Sequence, residues 1–113
     1  MQSLTTTDGV ILSETEISFV AERLNLSLGR YKNVISRCEI SFACGDMHGN
    51  QSLTTCMVSL VLNNAHTIEV KDMAENIENA LVLTLERTKR NLDMHLRRFR
   101  NIRFTLAGNT SRI

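Results

Sequence analysis

The sequence predicts an α+β domain of order β-α-β-β-β-α, a four-stranded sheet with two helices packed on one face. Apolar residues recur every three or four positions after Ser13 and again after Asp72, the period of a helix with one buried stripe. Between Val34 and Val70 the period changes to two, the mark of strands with one wet face. The chain contains no proline to interrupt these runs. Its 113 residues fit one domain, and 42% hydrophobic with 22% charged residues excludes a disordered or collagenous chain.

The Thr-rich stretch Gln2 to Thr7 predicts a short first strand, and Asp8-Gly9 a turn. Ser13, with Glu16 three residues on, forms the pattern of a capping box. Ile17, Val20, Ala21, Leu24 and Leu28 then share one apolar face, and Gly29 ends the first helix. Phe19 and Leu26 fall on the opposite side, where packing under a neighbouring loop is the expectation for both.

Val34, Ser36, Cys38, Ile40 and Phe42 are expected to face inward from the second strand. Cys44 to Ser52 is polar, contains two glycines and predicts a hairpin loop. The third strand runs from Thr54 to Leu62 with Cys56, Val58, Leu60 and Leu62 inward; after a turn at Asn63-Asn64-Ala65, the fourth runs from His66 to Val70. Asp72 and Glu75 supply a D-x-x-E cap for a second helix from Met73 to about Arg98. Its core stripe is Ile77, Leu81, Thr84, Leu85, Thr88, Leu92 and Leu96, with Phe99 at its end. Residues 1–100 thus form the domain, and residues 101–113 are expected to be a flexible tail.

The formal charge of +1 hides an asymmetry. Residues 1–86 carry 5 basic and 11 acidic side chains, net −6, whereas residues 87–113 carry 8 basic and 1 acidic, net +7. A helix end needs some cations to complement its dipole, but seven between Arg87 and Arg103 exceed that need and point to a polyanion. Arg87, Arg90, Arg97 and Arg98 share an arc on the far side of the helix from its apolar stripe.

No apolar run approaches the roughly 20 residues of a membrane span, and the first residues lack the basic and apolar regions of a signal peptide. Three cysteines without such a signal suit reduced thiols in the cytoplasm. Cys44, His48 and Cys56 match no familiar zinc spacing and supply three ligands where structural sites use four. Phosphate-loop, nucleophile-elbow and metalloprotease patterns are absent, so neither an enzyme nor a metal, cofactor or small-molecule substrate is expected.

The segments GVILSE with FVAERL, LGRYKNVISRCEISF, CMVSLVL, IEVKDMAENIENAL and RTKRNLDMHLRR, in that order over residues 9 to about 98, resemble the ribosome hibernation-promoting factor family. The family is also known as ribosome-associated inhibitors or sigma-factor modulation proteins. The resemblance implies the same β-α-β-β-β-α fold, similar to double-stranded-RNA-binding domains, in a short-type member without the added dimerisation domain. It implies a non-enzymatic translation inhibitor that binds the small ribosomal subunit through ribosomal RNA and blocks the messenger and transfer RNA channel. By position, the implied RNA contacts are Arg23, Arg30, Lys32, Lys89 and Arg90, with Arg87, Arg97 and Arg98 extending the patch. The chain departs from the family at Leu83 and Glu86, where basic residues are frequent, and at Leu26, where lysine is common.

Two other functions fit the residues. Phe19, Leu26, Val82, Leu83 and Met94 are apolar yet lie off the core stripes, which suits a protein-interaction or self-associating module and leaves room for a homodimer. A double-stranded-RNA binder acting away from the ribosome shares the fold.

Overall fold

In the computed structural model, the backbone is described for residues 1–48 and 51–112 and the side chains for residues 1–44 and 53–98. The chain runs β1 (Gln2–Asp8), α1 (Glu14–Leu28), a 3-10 turn (Gly29–Tyr31), β2 (Ile35–His48), β3 (Gln51–Leu62), β4 (Thr67–Ala74) and α2 (Ile77–Arg112). The strands form one sheet in the order β1-β2-β3-β4. β1 lies parallel to β2, and β2, β3 and β4 form an antiparallel meander. This is the α+β architecture that the two sequence periods predict.

Local chemistry starts both helices. At α1 the Ser13 hydroxyl accepts a hydrogen bond from the Glu16 amide at 3.1 Å, and the Glu16 carboxylate accepts from the Ser13 amide at 3.0 Å, so the capping box is complete. Gly29 follows α1 in a right-handed helical conformation and leads into the 3-10 turn. A Cβ there would lie 2.8 Å from the side-chain oxygen of Asn25, which is exposed and can turn aside, so neither φ nor space demands glycine at this position. α2 is capped by Asn76, whose side-chain oxygen accepts from the Asn79 amide at 2.8 Å. Asp72 is not a cap. β4 continues through it to Ala74, because pairing with β3 extends to Thr54 opposite Ala74.

One apolar core unites both helices with the inner face of the sheet, and it is buried because each element turns one side to it. The stripe predicted for α2 is buried from Ile77 to Leu92, with Leu96 half-buried; the Phe99 side chain lies outside the described residues. Inside α2, the Thr84 and Thr88 hydroxyls donate to the carbonyls of Ala80 and Thr84, each at 2.7 Å, which lets two hydroxyls lie in the core. On α1 the buried positions are Val20, Leu24 and Leu28. Ile17 and Ala21, expected on the same face, are exposed, and Phe19 packs against the core instead. Leu26 remains exposed.

Three further expectations are corrected. The pairing shifts between Ile35 and Arg37, a bulge that turns Ile35 into the core and leaves Ser36 exposed; Val34 is half-buried. Strict alternation resumes only from Cys38. The segment from Cys44 to Ser52 is mostly strand, since β2 and β3 pair as far as His48 opposite Gln51, with a second irregularity between Cys44 and Met47. Residues 49 and 50 lie outside the described residues. Finally, α2 does not stop near Arg98 but continues to Arg112.

Candidate nucleic-acid interface

The expected RNA-facing cations lie on α1, on the turn behind it and on α2. Arg23 is exposed on α1, its guanidinium 5.5 Å from the centre of the Phe19 ring. The 3-10 turn carries Arg30, and Lys32 follows it; both are exposed. On α2, Arg87, Arg90, Arg97 and Arg98 are exposed and Lys89 is half-buried. No ion pair engages Lys32, Lys89, Arg90 or Arg97 among the described residues.

The turn after α1 meets the second half of α2 at a polar notch of about 420 Å³, lined by Arg30, Tyr31, Asp93, Leu96 and Arg97. Arg30 donates to the Tyr31 hydroxyl oxygen at 2.6 Å, with its guanidinium carbon 4.8 Å from the Tyr31 ring centre. The Tyr31 hydroxyl in turn donates to an Asp93 carboxylate oxygen. The Tyr31 contact holds the Arg30 pKa above its ordinary value, chiefly through that hydrogen bond. The chain from cation through hydroxyl to anion fixes Arg30 in place, which spares rotamer entropy when an anion binds. Two guanidiniums and one carboxylate leave the notch net positive, and Asp93 already has an oxygen occupied by Tyr31.

The arc on α2 divides between two flanks. Arg97 faces the Arg30 notch. Arg87 turns the other way and pairs with Asp72 of β4 at 2.6 Å, joining helix to sheet. Asp72's second carboxylate oxygen is buried and has no hydrogen-bond partner, so Arg87 is the main compensation for that charge. Arg98 shares a shallow surface with His66, His95 and Glu69 at the start of β4. There the two imidazoles stack with ring centres 4.0 Å apart and planes within 10°. His95 is held below the usual histidine pKa, first by burial, then by His66 and Arg98.

The contributions of Tyr31, Asp93 and Asp72 to this surface are not legible in the sequence. Each is a single residue of ordinary type whose partner lies 15 to 62 positions away, so no local spacing signals it. Of the three residues weighed as a metal set, Cys56 is buried in the core and Cys44 is exposed. The His48 side chain lies outside the described residues. No helix among the described residues is long and apolar enough to cross a membrane.

No family model matches the chain, and no curated protein matches it. Solved structures do. The chain is similar to a ribosomal subunit interface protein from Coxiella burnetii, with a TM-score of 0.69 and 16% identity over 84% of this chain and 97% of that one. It is likewise similar to the N-terminal domain of Protein Y from Thermus thermophilus, with a TM-score of 0.62 and 11% identity over 84% of this chain and 99% of that one. Two structures that share so little sequence with the chain align over nearly their whole length, and the fold of this chain is therefore theirs.

Proposed function

We propose that the chain is a short-type member of the ribosome hibernation-promoting factor family, which binds the small ribosomal subunit and inhibits translation without catalysis. The observation that carries this reading is the notch that Arg30 and Arg97, from separate elements, line together with the Tyr31–Asp93 pair. Arg23 on α1, Lys32 behind it, Lys89 and Arg90 on α2, and Arg98 on the flank of α2 beside β4 supply further cations with which to grip ribosomal RNA phosphates. The name of the Coxiella protein supports a position at the ribosomal subunit interface.

The mechanism is steric. Phosphate contacts position a folded wedge in the messenger and transfer RNA channel, and its bulk excludes both ligands. Such contacts carry little base information, so recognition depends on the shape and phosphate spacing of the RNA. Arg87 is not counted as a contact in this proposal, because breaking its pair would strand Asp72. A ribosome partner implies a cytoplasmic location and a role suited to stress.

Sedimentation with purified small subunits through sucrose gradients at low and high salt tests the reading. Co-migration at low salt that is lost at high salt is expected, because each phosphate contact releases counterions. Absence from the subunit fraction at both salt concentrations would remove the proposed function.

A further inference from the structure

β1 is an edge strand whose outer edge has no strand partner among the described residues. The opposite edge of the sheet, β4, displays Glu69 and Lys71, charges of the kind that discourage edge-to-edge pairing. β1 carries only one charge, Asp8, at its very end. Its sequence, QSLTTTD, holds no basic residue and no proline, and its register with β2 is unbroken.

All seven β1 residues are exposed on both faces. Thr5 and Thr7 pair with Ile40 and Phe42 and therefore point to the helix side of the sheet, where those two neighbours are buried. The helical cover thus ends over β2. Above β1 lies an open groove of about 470 Å³ lined by Thr5, Thr7, Val10, Ile11, Ile17 and Val20. Ile11 is 93% exposed and Ile17 55%, large apolar side chains at the rim of an unfinished core.

We propose that β1 pairs with β1 of a second copy of this chain, antiparallel about a twofold axis through Thr5, giving a continuous eight-stranded sheet. Charge selects the direction. Asp8 is the sole charged side chain of the strand. A parallel pair would set Asp8 against Asp8, whereas the antiparallel pair sets it against Gln2, whose amide donates to a carboxylate. On the helix side Ser3 meets Thr7 and Thr5 meets Thr5, which suits hydroxyl pairing between β-branched residues; on the open side Leu4 meets Thr6.

A twofold axis relating antiparallel neighbours in one sheet stands perpendicular to it. Both copies of α1 then lie on the same face, and Ile11 and Ile17 of each copy flank the joined β1 strands. The two grooves become one shared apolar space with cover from both sides. The contact is isologous and closes at two copies. RNA is a poor occupant, since neither β1 nor the groove lining carries a cation. The contact is one seven-residue strand and a groove rim, so the dimer belongs with small interfaces and its formation depends on concentration.

Sedimentation velocity across a concentration series tests the proposal with wild type and two variants, Thr5→Lys and Thr5→Glu. Position 5 is exposed, and an unchanged melting temperature verifies that each variant folds. The wild type should shift from monomer to dimer as concentration rises. Either variant alone sets like charges together at the axis and should weaken the dimer about tenfold or more, while an equimolar mixture should restore it. Amide hydrogen exchange in the wild type should slow in β1 with concentration and stay constant in β4, a readout that needs no variant. A wild type that remains monomeric throughout overturns the proposal. So do single variants that dimerise as well as wild type, a mixture that fails to restore the dimer, or protection that rises in β4 rather than β1.

Discussion

Cys38 and Cys56 face inward from neighbouring strands, and burial pushes their thiols up to about 12 and about 11. An unfolded cysteine titrates at about 8.5. Because the folded values are raised, the stability these thiols contribute is complete below about pH 8.5 and is lost as pH rises towards the folded values. Thiolate absorbance in the native protein should therefore show two cysteines silent until well above about pH 10, with all three titrating together at about 8.5 in urea. Native titration of all three at about 8.5 would mean that the inward register of β2 and β3 is misassigned. His95 carries the opposite sign. Its folded pKa is depressed, so the stability it contributes is present above about 6.5 and is lost as pH falls through the folded value. A titration followed by NMR should place His95 below free histidine, and His95→Gln should flatten the acid side of the stability profile. A midpoint at or above about 6.5 contradicts the burial of that ring against His66.

Ala65 closes the turn between β3 and β4 with a φ of 69°, the left-handed region in which a Cβ crowds the backbone. The turn holds because the Ala65 amide donates to the Leu62 carbonyl at 2.9 Å and the His66 amide to the Asn64 side chain at 3.1 Å. Ala65→Gly relieves that crowding and should stabilise the protein by about 0.5–1 kcal/mol, read as a higher urea midpoint. An unchanged or lower midpoint would show that the greater freedom of glycine in the unfolded chain offsets the relief. Asn76→Ala should cost about 1 kcal/mol and fray the first turn of α2, whereas Asp72→Ala should not act through the start of that helix. Amide hydrogen exchange in the first turn of α2 separates the two: it should quicken in Asn76→Ala and stay unchanged in Asp72→Ala. Equal quickening in both would return Asp72 to the role of cap. The period-two and period-3.6 patterns made β3, β4 and the α2 stripe legible, because each of those elements keeps one continuous buried face. They misplaced Val34 and Ser36, because a bulge shifts the alternation by one residue and leaves no mark in the residue types. The start of α2 is not legible either, since D-x-x-E before an apolar run carries the same signal whether the aspartate starts a helix or lies in a strand.

Across the whole molecule, the acidic residues 1–86 and the basic residues 87–113 meet through one ion pair among the described residues, Arg87 to Asp72. The abundance of basic residues on α2 was legible in the sequence. Their division into structural and available cations was not, because it depends on where β4 ends beside the helix. That division makes opposite predictions for two residues three positions apart. Arg87→Gln leaves the Asp72 carboxylate, whose other oxygen is already buried and unpartnered, without its cation and should lower stability by a few tenths to about 1 kcal/mol, with little effect on the salt dependence of ribosome binding. Arg90 and Arg97 have no ion-pair partner among the described residues, so Arg90→Gln or Arg97→Gln should leave the melting temperature nearly unchanged. Each should lower the slope of log affinity against log salt by about one unit, uniformly across RNA sequences. Reversing both to glutamate replaces two phosphate attractions with two repulsions and should abolish co-sedimentation with small subunits at low salt. The Arg97→Glu change also sets a carboxylate near Asp93, so the melting temperature of the double variant must be compared with that of Arg90→Glu alone. A folded double variant that binds with wild-type salt dependence would move the RNA-facing surface off α2 and onto Arg23, Arg30 and Lys32.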